Sequence, residues 1–253
     1  MSTVEKALSI LDLFSESRPN IGPSEIARTL GWDRSTVQRY VNDLTARGFL
    51  EQDPSTRTYY LGPALTRLSL VRNRTHPVTS EVERIVSDLV AETGETAHAS
   101  TLVGSNLTST TVVETKFRGT RVYVDPAEYL PIHASASGIA CLSATPDEEF
   151  SELLGATYEN FTETTPREFS EILANVRTAR ERGYARMEGT YERDVAGIAS
   201  AVLGYNGSLV GAVAVATPAA RFNEDVERHI SGAVIAAARK MSRLYGATIE
   251  DAA

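Results

Sequence analysis

Residues 34 to 61 constrain the fold more than any other stretch, because a helical periodicity gives way there to two short strands. From Arg34 to Arg47 the apolar residues Val37, Tyr40, Val41 and Leu44 fall at helical spacing, with Ser35, Thr36, Gln38, Arg39 and Asn42 on the opposite face. Asp33 stands where an N-cap belongs. Gly48-Phe49-Leu50-Glu51-Gln52 and Arg57-Thr58-Tyr59-Tyr60-Leu61 then read as strands about the turn Asp53-Pro54-Ser55-Thr56. A helix feeding directly into a tight hairpin predicts a wing. Upstream, Val4, Ala7, Leu8, Ile10, Leu11 and Phe14 predict a first helix, ended by Arg18-Pro19-Asn20. Ile21-Gly22-Pro23-Ser24 opens a short second helix with Ile26, Ala27 and Leu30 as its buried stripe, and Gly31 stops it. The order helix, short helix, glycine turn, helix and hairpin predicts a winged helix-turn-helix over residues 1–62.

Gly62-Pro63 closes the hairpin, and Ala64, Leu65, Leu68 and Val71 predict a linker helix over 63–76, with His76-Pro77 as the boundary. A second domain is expected over 77–253. It opens with a helix whose stripe is Val78, Val82, Ile85, Val86, Leu89 and Val90. Strands are expected at Thr96 to Val103, Leu107 to Glu114 and Thr120 to Val124, with a hairpin through Gly104-Ser105-Asn106. A small-residue stretch from Ala134 to Ala144 precedes helical patterns at Asp147 to Leu154 and Pro166 to Arg182. Strands at Ile198 to Leu203 and Leu209 to Thr217 flank the hairpin signal Tyr205-Asn206-Gly207-Ser208, and a last helix runs from Asn223 to about Tyr245. The class is α+β.

A net charge of −8 disfavours nucleic acid only if it is evenly spread. Residues 1–74 hold 10 Lys+Arg against 8 Asp+Glu, a balance of +2, while residues 75–253 hold 15 against 25, a balance of −10. An acidic body with a less acidic head suits a DNA-binding module joined to a sensing domain. The chain has no run of 18 apolar residues, and its start lacks the basic and apolar regions of a signal peptide, so a cytoplasmic location is expected. Cys141, the one cysteine, has no partner for an internal disulfide. The histidines at 76, 98, 133 and 229 have no ligand-like spacing, so neither a metal nor a cofactor is expected.

A helix reading the major groove must offer short or fork-shaped donors on one face, which Ser35, Thr36, Gln38, Arg39 and Asn42 supply. Arg39 suits guanine or phosphate. Such a stripe alone is also what a solvated helix face looks like, and the adjoining wing decides for duplex DNA. Arg57 near the hairpin tip is placed for a phosphate or the minor groove, and Ser24 at a helix N-terminus for another phosphate.

Taken together, Ser9-Ile10-Leu11, Ser24-Glu25-Ile26-Ala27, Arg34-Ser35-Thr36-Val37, Leu44, Gly48-Phe49-Leu50 and Tyr59-Tyr60-Leu61-Gly62 resemble the winged module of IclR-type (isocitrate lyase regulator family) transcriptional regulators. Leu130-Pro131-Ile132-His133-Ala134-Ser135-Ala136-Ser137-Gly138 resembles the family's loop before a small helix. Arg182-Gly183-Tyr184-Ala185, Gly197-Ile198-Ala199-Ser200-Ala201-Val202 and Gly207-Ser208-Leu209-Val210-Gly211-Ala212 resemble its late strands. The resemblance implies a GAF-like α/β effector-binding domain, a homodimer or dimer of dimers, and a pseudo-palindromic operator. It further implies a pocket for small carboxylates or aromatic acids at Ser135, Ala136, Ser137, Gly138, Met187, Val195, Gly197, Ala214 and Ala216, with residues 119–129 as a lid.

This sequence departs from the family pattern at the pocket. Several members place Cys or Ser where Gly197, Ala214 and Ala216 stand, and an acid in place of Met187, so a larger and more apolar ligand is expected here. Backbone N–H groups at the start of the 137–143 helix remain available to a carboxylate. Tyr123 and Tyr129 either stack on an aromatic ligand or pack a core or interface. His133 lies in the family's loop pattern with no nucleophile elbow beside it, Cys141 sits among small residues, and Arg193-Asp194 is either an effector contact or a surface ion pair. A ligand-responsive, non-enzymatic transcription factor is the function expected. Its rivals are a DNA-binding oligomer with no small-molecule ligand and an enzyme using the GAF-like pocket, the latter lacking a paired nucleophile and base.

Overall fold

The computed structural model describes residues 2–15 and 17–248, so the outermost expected domain ends, at 1 and 253, lie outside the described residues. The chain falls into two compact units, Met1–Pro77 and Val78–Ala253.

In the first unit α1 (Thr3–Leu11) starts at Ser2, whose hydroxyl accepts the Glu5 N–H at 3.2 Å while the Glu5 carboxylate accepts the Ser2 N–H. Pro23 at the first turn opens α2 (Pro23–Leu30), and Gly31 ends it at φ 67°, a left-handed conformation that costs glycine little. Asp33 caps α3 (Arg34–Ala46) by accepting the Thr36 N–H at 2.8 Å. The wing is β1 (Leu50–Gln52) paired antiparallel with β2 (Tyr59–Leu61), Leu50 facing Leu61. Both strands are shorter than the sequence suggests because Arg57, at φ 58°, closes the turn through its N–H to Asp53 O at 2.8 Å. Ile10, Ile21, Ile26, Val37, Val41 and Leu50 are fully buried, each worth about 1.5–3 kcal/mol in apolar burial. Next comes α4 (Pro63–Thr75), where Ala64 is buried and Leu68, Leu70 and Val71 are exposed.

The second unit comprises α5 (Val78–Thr93), β3 (Thr96–Val103), β4 (Asn106–Val113), β5 (Tyr129–Leu130), α6 (Ala136–Ala144), α7 (Phe150–Leu154), α8 (Phe169–Arg182), β6 (Ala185–Glu188), β7 (Val195–Leu203), β8 (Leu209–Pro218) and α9 (Glu224–Leu244). The strands form one antiparallel sheet in the order β5-β4-β3-β8-β7-β6. Both faces are covered. Val213 and Val215 of β8 join α5 and α9 in one apolar cluster, while Ala212 and Ala214 face α6, α7 and α8 in another. Larger side chains on one face and alanines on the other let α6, buried from Ala136 to Leu142, approach the sheet closely. The Asn-Gly pair turns β7 into β8 with Asn206 at φ 57° and Gly207 at φ 72°.

The second unit also departs from the sequence reading, which gave no strand at β6. Thr120 to Val124 is not a strand: its inward Val122 mimics the alternation, yet Val122 O accepts from the Thr96 hydroxyl at 2.9 Å and Thr120 O from Arg221 at 3.1 Å, so no neighbouring strand takes them. The sheet edge there is β5 instead, paired with Leu107 and Thr108. The helices expected from Asp147 and Pro166 begin at Phe150 and Phe169, and at the start of the second the Glu171 carboxylate accepts the Arg167 and Glu168 N–H groups at 2.8 and 3.2 Å. Among the described residues no helix is long and apolar enough to cross a membrane.

Candidate DNA-binding and effector-binding sites

On the first unit, α3 presents Arg34, Ser35, Gln38, Arg39 and Asn42 to solvent, with Thr36 half-buried. Ser24 is exposed in the first turn of α2, and Arg57 is exposed at the wing tip. Not all of these side chains are free donors. Ser35 and Thr36 give their hydroxyl protons to the Asp33 carboxylate at 2.6 and 2.7 Å, which holds that carboxyl well below its usual range. They therefore offer lone pairs outward while that capping geometry holds. Gln38 Nε2 donates to Asn42 Oδ1 at 2.8 Å, so these two form a paired amide surface. The Arg39 guanidinium lies over the Tyr40 ring at 5.0 Å, which steadies a five-donor fork. Ile21 and Tyr59 exchange two backbone hydrogen bonds, each 2.9 Å, and these tie the wing to the residues before α2.

On the second unit, a cavity of about 670 Å³, counted out to its open mouth, lies between the start of α6 and the alanine face of β7 and β8. Ser135, Ala136, Ser137, Met187, Val195, Gly197, Ala214 and Ala216 all line it. Gly138, Tyr123 and Tyr129 do not. A Cβ on Gly138 would overlap the backbone of Ile132, so this glycine serves the seating of α6. Tyr123 and Tyr129 are 63% and 64% exposed. The 119–129 segment contributes Val122, Val124, Asp125 and Glu128 to the wall, whereas sequence reasoning missed His98, Thr190, Tyr191 and Glu192. His98 reaches it through the pairing of β3 with β8, opposite Ala214, and local periodicity carries no signal of that long-range neighbour.

His98 Nε2 is 3.2 Å from Ser137 Oγ, its Nδ1 has no hydrogen-bond partner, and burial pushes its pKa down to about 4. The imidazole is therefore neutral near pH 7. Tyr191 donates to Glu128 at 3.1 Å, and burial, aided by that bond, raises its phenol to about 12. Burial and the nearby Glu128 raise the Glu192 carboxyl above the ordinary range. Glu95, 3% exposed, accepts from Arg221 at 2.7 and 3.1 Å and pairs with Arg118 at 3.3 Å, which ties the chain just before Val122 to the start of β3.

The other candidates lie elsewhere. His133 packs between Tyr158 and Phe161, its Nε2 2.8 Å from Glu159 O. Cys141 is fully buried with its thiol pushed up to about 12, which keeps it protonated. Arg193 pairs at 3.5 Å with the exposed Glu163, and neither it nor Asp194 lines the cavity.

A winged helix-turn-helix followed by a separate antiparallel α/β unit is the plan of a two-domain DNA-binding regulator. The chain matches the model of the IclR helix-turn-helix domain over residues 3–54 and that of the bacterial transcriptional regulator IclR C-terminal domain over residues 73–243. It belongs to the IclR family of DNA-binding transcriptional regulators. The glycerol operon regulatory protein of Streptomyces coelicolor is 30% identical, with 98% of this chain and 97% of that protein covered. The transcriptional regulator XynR of Escherichia coli is 26% identical over 88% of this chain and 89% of its own. Among solved structures, an IclR-type protein from Silicibacter sp. TM1040 shares 33% identity, with 99% of each chain covered and a TM-score of 0.78. The IclR of Thermotoga maritima, 23% identical over 97% of this chain and 99% of its own with a TM-score of 0.64, shares the fold.

Proposed function

We propose that this regulator binds a pseudo-palindromic operator as a homodimer or dimer of dimers, through residues 1–62, and that a small organic effector in the second unit modulates the binding. Residues 63–76 act as the linker and 77–253 as the effector and oligomerisation domain. Ser24, Arg34, Ser35, Thr36, Gln38, Arg39, Asn42 and Arg57 contact DNA in this reading. The observation that carries it is the cavity itself: Ser135, Ala136, Ser137, Gly197, Ala214 and Ala216 put small side chains where larger ones would fill the space between the sheet and the start of α6. No catalytic role is assigned. His98 and Ser137 lie together, but nothing in the reading requires a bond to be broken. The relatives' names support transcriptional control, since one is a glycerol operon regulator and another, AllR of Escherichia coli, a transcriptional repressor.

The test separates the two sites. Ala214→Leu fills the cavity from β8 and Val195→Phe fills it nearer β6, so either should abolish the effector response while operator affinity persists. Gly197→Leu is less clean, because a Cβ there would already stand 3.0 Å from Ala136 Cβ and strain the α6 contact. Operator binding, followed by fluorescence anisotropy with metabolites added, should shift by about 1–3 kcal/mol in the native protein, with reciprocal tightening or loosening of the effector. Folded variants at both positions that respond like the native chain would remove this cavity as the effector site.

A further inference from the structure

The polarity of the hydroxyls at the start of α3 is fixed by the residue that caps it. Asp33 is exposed, and both of its carboxylate oxygens are engaged by the first turn: Oδ1 accepts the Thr36 N–H at 2.8 Å and the Ser35 hydroxyl at 2.6 Å, while Oδ2 accepts the Thr36 hydroxyl at 2.7 Å. An ionised carboxylate has no proton to give, so in both side-chain bonds the hydroxyl is the donor. Those bonds, the one from Ser35 foremost, hold the Asp33 carboxyl well below its usual range, and it is ionised throughout the neutral range. Ser35 and Thr36 have one hydroxyl proton each, and both protons are spent on Asp33. Toward solvent the two hydroxyls turn only lone pairs.

We propose that Asp33 is a specificity-determining residue that acts without touching DNA: it makes acceptors of Ser35 and Thr36, so that the start of α3 selects an exocyclic amino group in the major groove, N6 of adenine or N4 of cytosine. The inference rests on reading α3 as the helix in the groove with Ser35 and Thr36 at base edges, and it adds the polarity of that contact. Among major-groove hydrogen-bonding groups only these amino groups donate, whereas guanine N7 and O6, adenine N7, thymine O4 and every phosphate oxygen accept. A serine or threonine whose hydroxyl turns freely serves either kind. Here, giving a proton to an acceptor on DNA would break a charge-assisted bond and leave the Asp33 carboxylate facing that acceptor. Every base pair carries one such amino group, so what is selected is the strand that carries it. Arg39, one turn further along α3, supplies donors instead, and the helix presents the two polarities in order.

Asp33→Asn separates the cap from the polarity. Asparagine caps a helix as well as aspartate does, and with its Oδ1 on the Thr36 N–H and the Ser35 hydroxyl, its Nδ2 falls where Oδ2 stood. That amide then donates to Thr36 Oγ1 and turns the Thr36 proton outward. Preferred sites are selected from random duplexes by the full-length native protein, Ser35→Ala and Thr36→Val, which locates the base pair whose preference depends on the Thr36 hydroxyl. At that pair the exocyclic amino group is deleted, with purine in place of adenine or 2-pyrimidinone in place of cytosine, and in a second duplex an acceptor is deleted, with a 7-deazapurine. Loss of the amino group should weaken the native protein about 3- to 10-fold more than Thr36→Val, the reach of one net hydrogen bond, and the comparison cancels the weaker base pairing common to both. Asp33→Asn should lose that extra penalty. A native protein sensitive to the acceptor deletion instead, or an Asp33→Asn variant that keeps the amino-group penalty while binding all duplexes more tightly, would overturn the proposal and leave Asp33 as a cap and a charge. Base preferences unchanged in both Ser35→Ala and Thr36→Val would show that these hydroxyls do not reach base edges, and the underlying reading would fall with the proposal.

Discussion

His98 is the residue whose protonation most directly affects the second unit. Its folded pKa of about 4 lies below the ordinary histidine value of 6.5, so the unfolded chain takes up a proton first as the pH falls. Its contribution is therefore fully present above about pH 6.5 and is lost as the pH falls toward 4. Between pH 7 and 5 this group alone should remove on the order of 2 kcal/mol, and His98→Asn should flatten that part of the profile. Urea unfolding at the two pH values measures it, and parallel losses in both proteins would mean that the imidazole is not the titrating group. Gly138 offers the opposite kind of test, since helix propensity alone favours alanine there by about 1 kcal/mol. The overlap of a Cβ with the Ile132 backbone should win, because backbone cannot rotate away as a side-chain tip can. Gly138→Ala should therefore destabilise by roughly 1–3 kcal/mol, and a more stable variant would show that α6 can lift off the preceding loop without loss.

At the scale of elements, α3 and the wing are held as one piece because Tyr59 is bonded to Ile21 on one side and approached by Gln38 at 3.4 Å on the other. Arg39→Ala should cost roughly 1–3 kcal/mol on the cognate site and relax discrimination at one base pair. Arg57→Ala should weaken all sequences alike and lower the salt slope by about one; equal slopes and affinities in both variants would take these residues out of the interface. The helices of this head were legible because Val37, Tyr40, Val41 and Leu44 recur on one face, and the β7 to β8 turn because Asn206-Gly207 tolerates positive φ. Thr120 to Val124 misled because alternation records which side chains point inward and says nothing of where the backbone bonds go. The cavity was half legible for a related reason. Its small residues belong to contiguous motifs at 134–138 and in β7 and β8, whereas His98 and Glu192 join it only through sheet order and loop path.

For the molecule as a whole, the chain divides in sequence at Pro77 and Val78, and if an effector in the second unit modulates operator binding by the first, the regulation is a coupling free energy. If the heads act in symmetric pairs, protected operators should carry two inverted half-sites about 10 base pairs apart, centre to centre, or a multiple of that spacing. A footprint over one asymmetric site would exclude paired reading. The order β5-β4-β3-β8-β7-β6 also bears on how the chain is made. Thr96 at the start of β3 waits for Ala216 of β8, and α5 waits for α9, so the centre of the sheet closes only when synthesis is nearly complete. The first unit, ending at Pro77, precedes all of these elements in the chain. At roughly 5–20 residues per second on the ribosome, residues 1–77 of every nascent copy are therefore complete several seconds or more before the strands that close the cavity of the second unit. If that cavity senses an effector, a chain cut short in its last quarter should still bind operator DNA and be deaf to metabolites, and a truncated chain whose operator affinity shifts with an effector would place the sensing elsewhere.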